Sequence, residues 1–214
     1  MGLHPATRHL IWDLGGTLFD TYPATVEVFR ETLRDFGVDA DPAEVRALYR
    51  TSTDHAVRVT AERYGLDPTL LRERQRAAAA RVPPGQFPLF PGARTVLARV
   101  RERGGKNLLV THRDRRGVLD LLACHGIGAW IDDLVTGDDP WPRKPDPASL
   151  RAIVGRNGLD GDACLTVGDR ALDAEAGRRA GLRTCLFGDA APEAMPDLRI
   201  ERLEQLLEHL EPSG

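Results

Sequence analysis

Three short, largely apolar runs along this chain each lead into a polar residue: 8–13 closes on Asp13, 106–111 closes on Thr111, and 163–168 is followed by Asp169. Near-continuous apolar segments of this length are the pattern of strands buried on both faces of a parallel sheet. The second and third runs give way to helical spacing. Val118, Leu119, Leu121, Leu122 and Cys124 recur within 114–124, and the Ala-rich stretch 171–180 stops at Gly181, a glycine placed to end a helix. Shorter strands are predicted at 132–136, 183–187 and 198–200, and Leu203, Leu206, Leu207 and Leu210 form the apolar stripe of a closing helix at 201–210. Strand and helix in alternation predict an α/β fold, a sheet covered by helices.

Between Asp20 and about Pro88 the pattern changes. Val26, Phe29, Leu33 and Phe36 recur at helical spacing, then Val45, Leu48 and Tyr49, then Val57, Ala61 and Tyr64, and a charged, Ala-rich run follows at 69–81. Four helices and no strand are too much for an ordinary crossover. This segment is expected to be a separate all-helical domain inserted after the first strand, with the Pro- and Gly-rich stretch 83–92 as its return linker. The predicted division is 1–20 with 88–214 for the α/β core, and 21–87 for the insert and linker.

Composition narrows the function classes. The 214 residues carry 29 Lys and Arg against 32 Asp and Glu, a net charge of −3 with both signs mixed along the chain, so nucleic acid is not an expected partner. The three cysteines, Cys124, Cys164 and Cys185, have no metal-ligand spacing and lie in apolar neighbourhoods, which reads as reduced structural thiols in a cytoplasmic protein. No apolar run approaches the roughly 18 residues of a membrane span, and the N-terminus lacks the apolar core of a secretion signal. Met1-Gly2 is followed by Ala6 where a myristoylation signal has Ser or Thr.

The chemistry gathers at the run ends. Asp13 is presented at the end of a strand and followed by a turn through Gly15 and Gly16 to Thr17, which suits phosphate or metal chemistry because parallel sheets bind ligands at the carboxyl ends of their strands. A carboxylate there can attack phosphorus, and it can also ligate Mg²⁺, which favours hard oxygen donors. Asp169 and Asp173 are four residues apart and fall on the same side if a helix begins near residue 170. Two acids so close repel unless a cation lies nearby, and Mg²⁺ is the economical one. Asp138 and Asp139 receive no ligand role. Neither glycine fingerprint of nucleotide binding is present.

Taken together, Asp13-Leu14-Gly15-Gly16-Thr17, Thr111, the Lys144-Pro145-Asp146-Pro147 segment and the Gly168-Asp169 to Asp173 stretch resemble the four motifs of the haloacid dehalogenase superfamily of phosphotransferases and phosphatases. The resemblance covers nearly the whole chain and is nearest to the phosphoglycolate-phosphatase-like branch. It implies a Rossmann-like parallel sheet and an inserted helical cap that closes over the active site and selects the substrate. It also implies roles. Asp13 is the nucleophile that forms an aspartyl-phosphate, while the Thr111 hydroxyl and the His112 backbone N–H bind the phosphoryl group. Lys144 offsets phosphate charge and keeps Asp13 ionised. Mg²⁺ is held by Asp13, the Gly15 carbonyl, Asp169 and Asp173, the last directly or through water.

One position departs from the family pattern. The usual first motif is Asp-x-Asp-Gly-Thr, and Gly15 occupies the place of the second aspartate, the family's general acid/base. Every residue has a carbonyl, so this change spares the metal contact and removes the proton shuttle; Asp20, Tyr22, His112 or a bound water are the candidates to replace it. The expected function is a Mg²⁺-dependent phosphomonoester hydrolase of weak turnover acting on a small phosphorylated metabolite. The alternative is a catalytically impaired regulatory protein that binds phosphate or a phosphometabolite. Phosphotransfer to a second metabolite would use the same nucleophile. Phosphonate cleavage is disfavoured, because residues 21–82 hold no lysine for a Schiff base.

Overall fold

The apolar runs form one parallel sheet in the computed structural model, which describes residues 7–188 and 194–210. Met1, Gly2 and Ala6, on which the acylation reading turned, lie outside the described residues. Strands β1 (His9–Trp12), β2 (Asn107–Val110), β3 (Asp133–Val135), β4 (Cys164–Gly168), β5 (Arg183–Phe187) and β6 (Leu198–Ile200) lie in the order β3-β2-β1-β4-β5-β6. β1 is central, with Ile11 level with Leu108 on one side and Thr166 on the other. Every residue of β1, β2 and β4 is buried, which is why these strands read as unbroken apolar segments. The strand order reverses at β1, so its carboxyl end opens beside that of β4 at the position where such sheets bind ligands.

The chain divides into two compact units, one of residues up to Phe19 together with Pro88 onward, the other Asp20–Phe87. The second unit is all helical: α1 (Tyr22–Arg34), α2 (Pro42–Thr51), α3 (Thr53–Tyr64) and α4 (Pro68–Ala79). Its helix starts are written locally. Asp41 accepts from the Glu44 N–H at 2.9 Å, Ser52 from His55 at 3.0 Å and Asp67 from Thr69 at 2.8 Å, with Pro42 and Pro68 in the first turn. Phe29, Leu33, Val45, Tyr49, Val57 and Leu71 share its core, and the Phe29 and Tyr49 rings meet edge to face at 5.3 Å. Tyr64 is exposed, although its spacing places it with Val57 and Ala61; α3 ends there, at the left-handed Gly65.

Helices α5 (Ala93–Glu102), α6 (Arg115–Cys124), α7 (Ala148–Arg156) and α8 (Ala171–Ala180) belong to the sheet-bearing unit. The closing segment differs from expectation. Leu203–His209 is a 3-10 helix, and Leu203 and Leu206, which align at three residues per turn, are its buried side chains. The leucine pattern there satisfies both periods. Cys124 departs from the structural-thiol reading: Cys164 and Cys185 are buried, with burial pushing their thiols up to about 12, while Cys124 is exposed on the last turn of α6. Among the described residues no helix is long and apolar enough to cross a membrane.

Candidate active site

Asp13 is held where β1 stops. Its N–H donates to the Val167 carbonyl at 2.8 Å, extending the parallel ladder one residue past the strand. The turn beyond closes on itself: the Leu18 and Phe19 N–H groups both reach the Leu14 carbonyl at 3.0 Å, and Gly16 N–H reaches Phe19 at 2.8 Å. Gly16 carries the positive φ, 86°, that this turn requires; Gly15 does not. Thr17 is buried and donates its hydroxyl to Asp169 Oδ1 at 3.4 Å. Thr111 is presented in the same way at the end of β2, its N–H on the Val135 carbonyl at 3.0 Å and its Oγ1 accepting the Arg113 N–H at 3.3 Å.

Lys144 joins these strand ends. Its buried Nζ donates to Asp13 Oδ1 at 2.5 Å, Asp173 Oδ1 at 2.5 Å and the Val110 carbonyl at 3.2 Å, so all three ammonium protons are used. Asp173 lies in the first turn of α8, where its Oδ2 accepts the Arg170 N–H at 3.1 Å. Gly168 makes room for it. A Cβ at 168 would stand 2.3 Å from the Asp173 Cβ, so the side chain can lie across the end of β4 only over a glycine. Asp169 completes the cluster: Asp13, Asp169 and Asp173 each offer an oxygen within 4.8 Å of the others.

Charge is unevenly shared among these groups. Burial pushes the Asp13 carboxyl above its ordinary range, opposed by Lys144 and reinforced by Asp173. Burial acts on Asp173 as well, but there the Lys144 and Arg170 charges prevail and hold it low. Lys144 is raised against its own burial by the two carboxylates. His112 is driven the other way, down to about 3, by burial and then by Lys144, Arg170 and Arg143. Its ring is therefore neutral, and Nε2 accepts the Lys144 backbone N–H at 2.9 Å. The imidazole faces the lysine segment, a contact the sequence did not suggest.

Asp20 and Tyr22, named from the sequence as stand-ins for the missing acid, belong to the other compact unit. Asp13, Lys144, Asp169 and Asp173 form one cluster, Thr111 follows the strand whose last carbonyl accepts from Lys144, and Gly15 contributes main chain only. Asp138 and Asp139 instead serve structure, accepting from the N–H groups of Arg115 at 2.8 Å and Thr136 at 2.7 Å. Arg170 was missed. Its Nε lies 3.9 Å from Asp169 and 3.8 Å from Asp173, a second positive charge beside the carboxylates. Its position directly after Asp169 was the available signal.

Three hard oxygen donors with a shortage of compensating charge fit a small divalent cation. The same shortage predicts the cost of removing Lys144. In Lys144→Met two buried carboxylates face each other without their common partner, which should destabilise the metal-free protein by about 3–5 kcal/mol. A melting midpoint lower by on the order of 10 °C is the expected measurement, and an unchanged midpoint would contradict the charge balance drawn above.

Residues 10–187 match the family model described as haloacid dehalogenase-like hydrolase. A plasmid phosphoglycolate phosphatase of Cupriavidus necator is 33% identical over 217 residues, spanning 96% of this chain and 92% of that protein. Among solved structures, a hydrolase from Streptococcus pneumoniae is 32% identical with a TM-score of 0.67, covering 95% of this chain and 99% of its own. A HAD-superfamily hydrolase of subfamily IA from Geobacter sulfurreducens shares the fold at 19% identity, with a TM-score of 0.73 over 99% of this chain and 100% of its own.

Proposed function

The chain belongs to the haloacid dehalogenase-like hydrolases, and from that premise we propose that it is a Mg²⁺-dependent phosphomonoester hydrolase acting on a small phosphorylated metabolite through an aspartyl-phosphate. The observation that carries this reading is the buried Lys144 bridging Asp13 and Asp173 with Asp169 alongside. A carboxylate at Asp13 attacks phosphorus, the ester P–O bond breaks, and the alkoxide departs with the bonding pair and takes its proton from water. Water then attacks the phosphorus of the acyl phosphate, releasing inorganic phosphate and restoring Asp13. Lys144 keeps Asp13 ionised for the first step and faces the charge that develops on the phosphoryl oxygens. The Thr111 hydroxyl and the His112 backbone N–H hold that group.

Asp13, the Gly15 carbonyl, Asp169 and Asp173, the last directly or through water, are the groups that would hold Mg²⁺. Bound there, the ion supplies positive charge against the substrate phosphate. Gly15 leaves the departing alkoxide without a carboxylic acid, so turnover is weak and favours leaving groups that need little protonation. Gly15 is also the observation that favours a second reading, a regulatory protein that binds a phosphometabolite without turning it over. The proposal extends to the cytoplasm, a reducing compartment that suits three free cysteines.

Two measurements test it. A panel of phosphorylated metabolites, phosphoglycolate among them because relatives bear that name, should yield Mg²⁺-dependent phosphate release for at least one compound. Calorimetric titration should find one Mg²⁺ site, weakened about tenfold or more in Asp169→Ala. No release with any compound would favour the regulatory reading, and unchanged affinity in the variant would remove the proposed cage.

A further inference from the structure

We propose that the imidazole of His112 is a positioning residue: it fixes the main chain at Lys144 and thereby sets where the ammonium meets Asp13 and Asp173. The turn after β2 holds the segment after β3 at both ends. At the entrance, Gly137 N–H donates to the Arg113 carbonyl at 2.8 Å, Arg115 N–H donates to Asp138 at 2.8 Å, and the Arg115 guanidinium pairs with Asp139 at 3.0 Å. At the exit, the Lys144 N–H donates to His112 Nε2 at 2.9 Å. Pro140 and Pro142 lie between, and proline has no N–H to offer as a further tie.

The ring suits this task. It is held neutral by burial first and by the surrounding cations second, and Nε2 accepts the Lys144 N–H. The bond matters because the Lys144 ammonium serves two carboxylates and a carbonyl at once, all buried, and its Cα is the anchor from which the side chain reaches all three. His112 thus links the turn bearing the Thr111 hydroxyl to the segment bearing the lysine. It acts through Lys144, whose main-chain N–H is the ring's hydrogen-bond donor.

The test separates an acceptor from a space-filler. His112→Phe keeps a ring without an acceptor, His112→Gln places Oε1 near the position of Nε2, and His112→Asn ends one bond too short to reach. In the full-length protein, amide hydrogen exchange at Lys144 and kinetics on an aryl phosphate with Mg²⁺ are compared, with the melting midpoint as the check on folding. Exchange at Lys144 should quicken about tenfold in His112→Phe and His112→Asn and return to within about threefold of the parent in His112→Gln. Turnover number should fall about tenfold in the first two, with KM nearly unchanged, and recover in the third.

The kinetic half rests on the phosphatase reading, whereas the exchange half does not. A parent protein without turnover would count against that reading alone, and exchange would then decide. Unaltered exchange in both Phe and Asn variants overturns the proposal, as does a loss in a folded variant that glutamine fails to restore. Should His112→Phe not fold, the Gln and Asn pair carries the same contrast.

Discussion

Asp13→Asn should abolish turnover while leaving the metal-free protein at least as stable as its parent. Asparagine fills nearly the same volume but offers no carboxylate to attack phosphorus, and loss of a nucleophile of this kind costs about four orders of magnitude or more. The stability half follows from the direction of the shift at Asp13, which burial raises above the ordinary carboxylate range. A carboxyl raised in the folded state binds more protons there than when unfolded, so folding stability declines as pH climbs from the unfolded value through the folded one. Raising the pH towards neutrality therefore costs the parent stability at this group. The amide does not titrate and escapes it, and Lys144 retains Asp173 as its partner. Melting the metal-free pair at pH 4 and pH 7 should show the variant equal or higher at neutral pH, with the gap narrowing in acid. A lower midpoint at pH 7, or undiminished aryl-phosphate turnover, would be fatal to this account.

Gly15→Asp should move activity in the opposite direction. A positioned general acid contributes about 10²–10⁴-fold, and the backbone accepts the side chain because the left-handed residue of this turn is Gly16, φ 86°, and not Gly15. The gain should depend on the leaving group. An alkyl alkoxide needs a proton as it departs, so its turnover should rise by about a hundredfold; an aryl oxide is already stable as an anion and should gain less than about tenfold. Gly15→Asn supplies the same bulk without a transferable proton and should give neither increase. Equal gains on both substrates would show that Gly15 limits something other than proton transfer.

Much of this was legible in the chain, for reasons that differ by element. β1, β2 and β4 declared themselves because strands buried on both faces leave little room for polar residues, and α8 because Gly181, φ 79°, marks its end. Helix α5 went unassigned: its buried Val96, Leu97 and Val100 are interleaved with exposed arginines and follow a Pro- and Gly-rich stretch without any capping side chain. The 203–209 segment was assigned the wrong helix type because leucines at three- and four-residue intervals serve either period. At the site, strand-end polar residues were visible one by one. Their mutual arrangement was not, since the Lys144 contact with Asp13 spans 131 residues and the His112 ring bond to Lys144 spans 32. Linear spacing holds no record of which side chain will accept and which will donate.

The central placement of β1 has a consequence for how the molecule is built. This strand leaves the ribosome before the other strands of its sheet, yet Trp12 finds its hydrogen-bonded partner Asn107 only 95 residues later, and β4 comes later still. The unit Asp20–Phe87 is fully synthesised before either neighbour exists. During that interval an apolar segment waits with both edges unpaired, the condition in which nascent chains aggregate or call on chaperones, and late long-range pairing is intrinsically slow. Translation order and assembly order are thus inverted at the heart of the fold: Asp13 is made before both strands that flank it, and its N–H meets the Val167 carbonyl only once β4 exists.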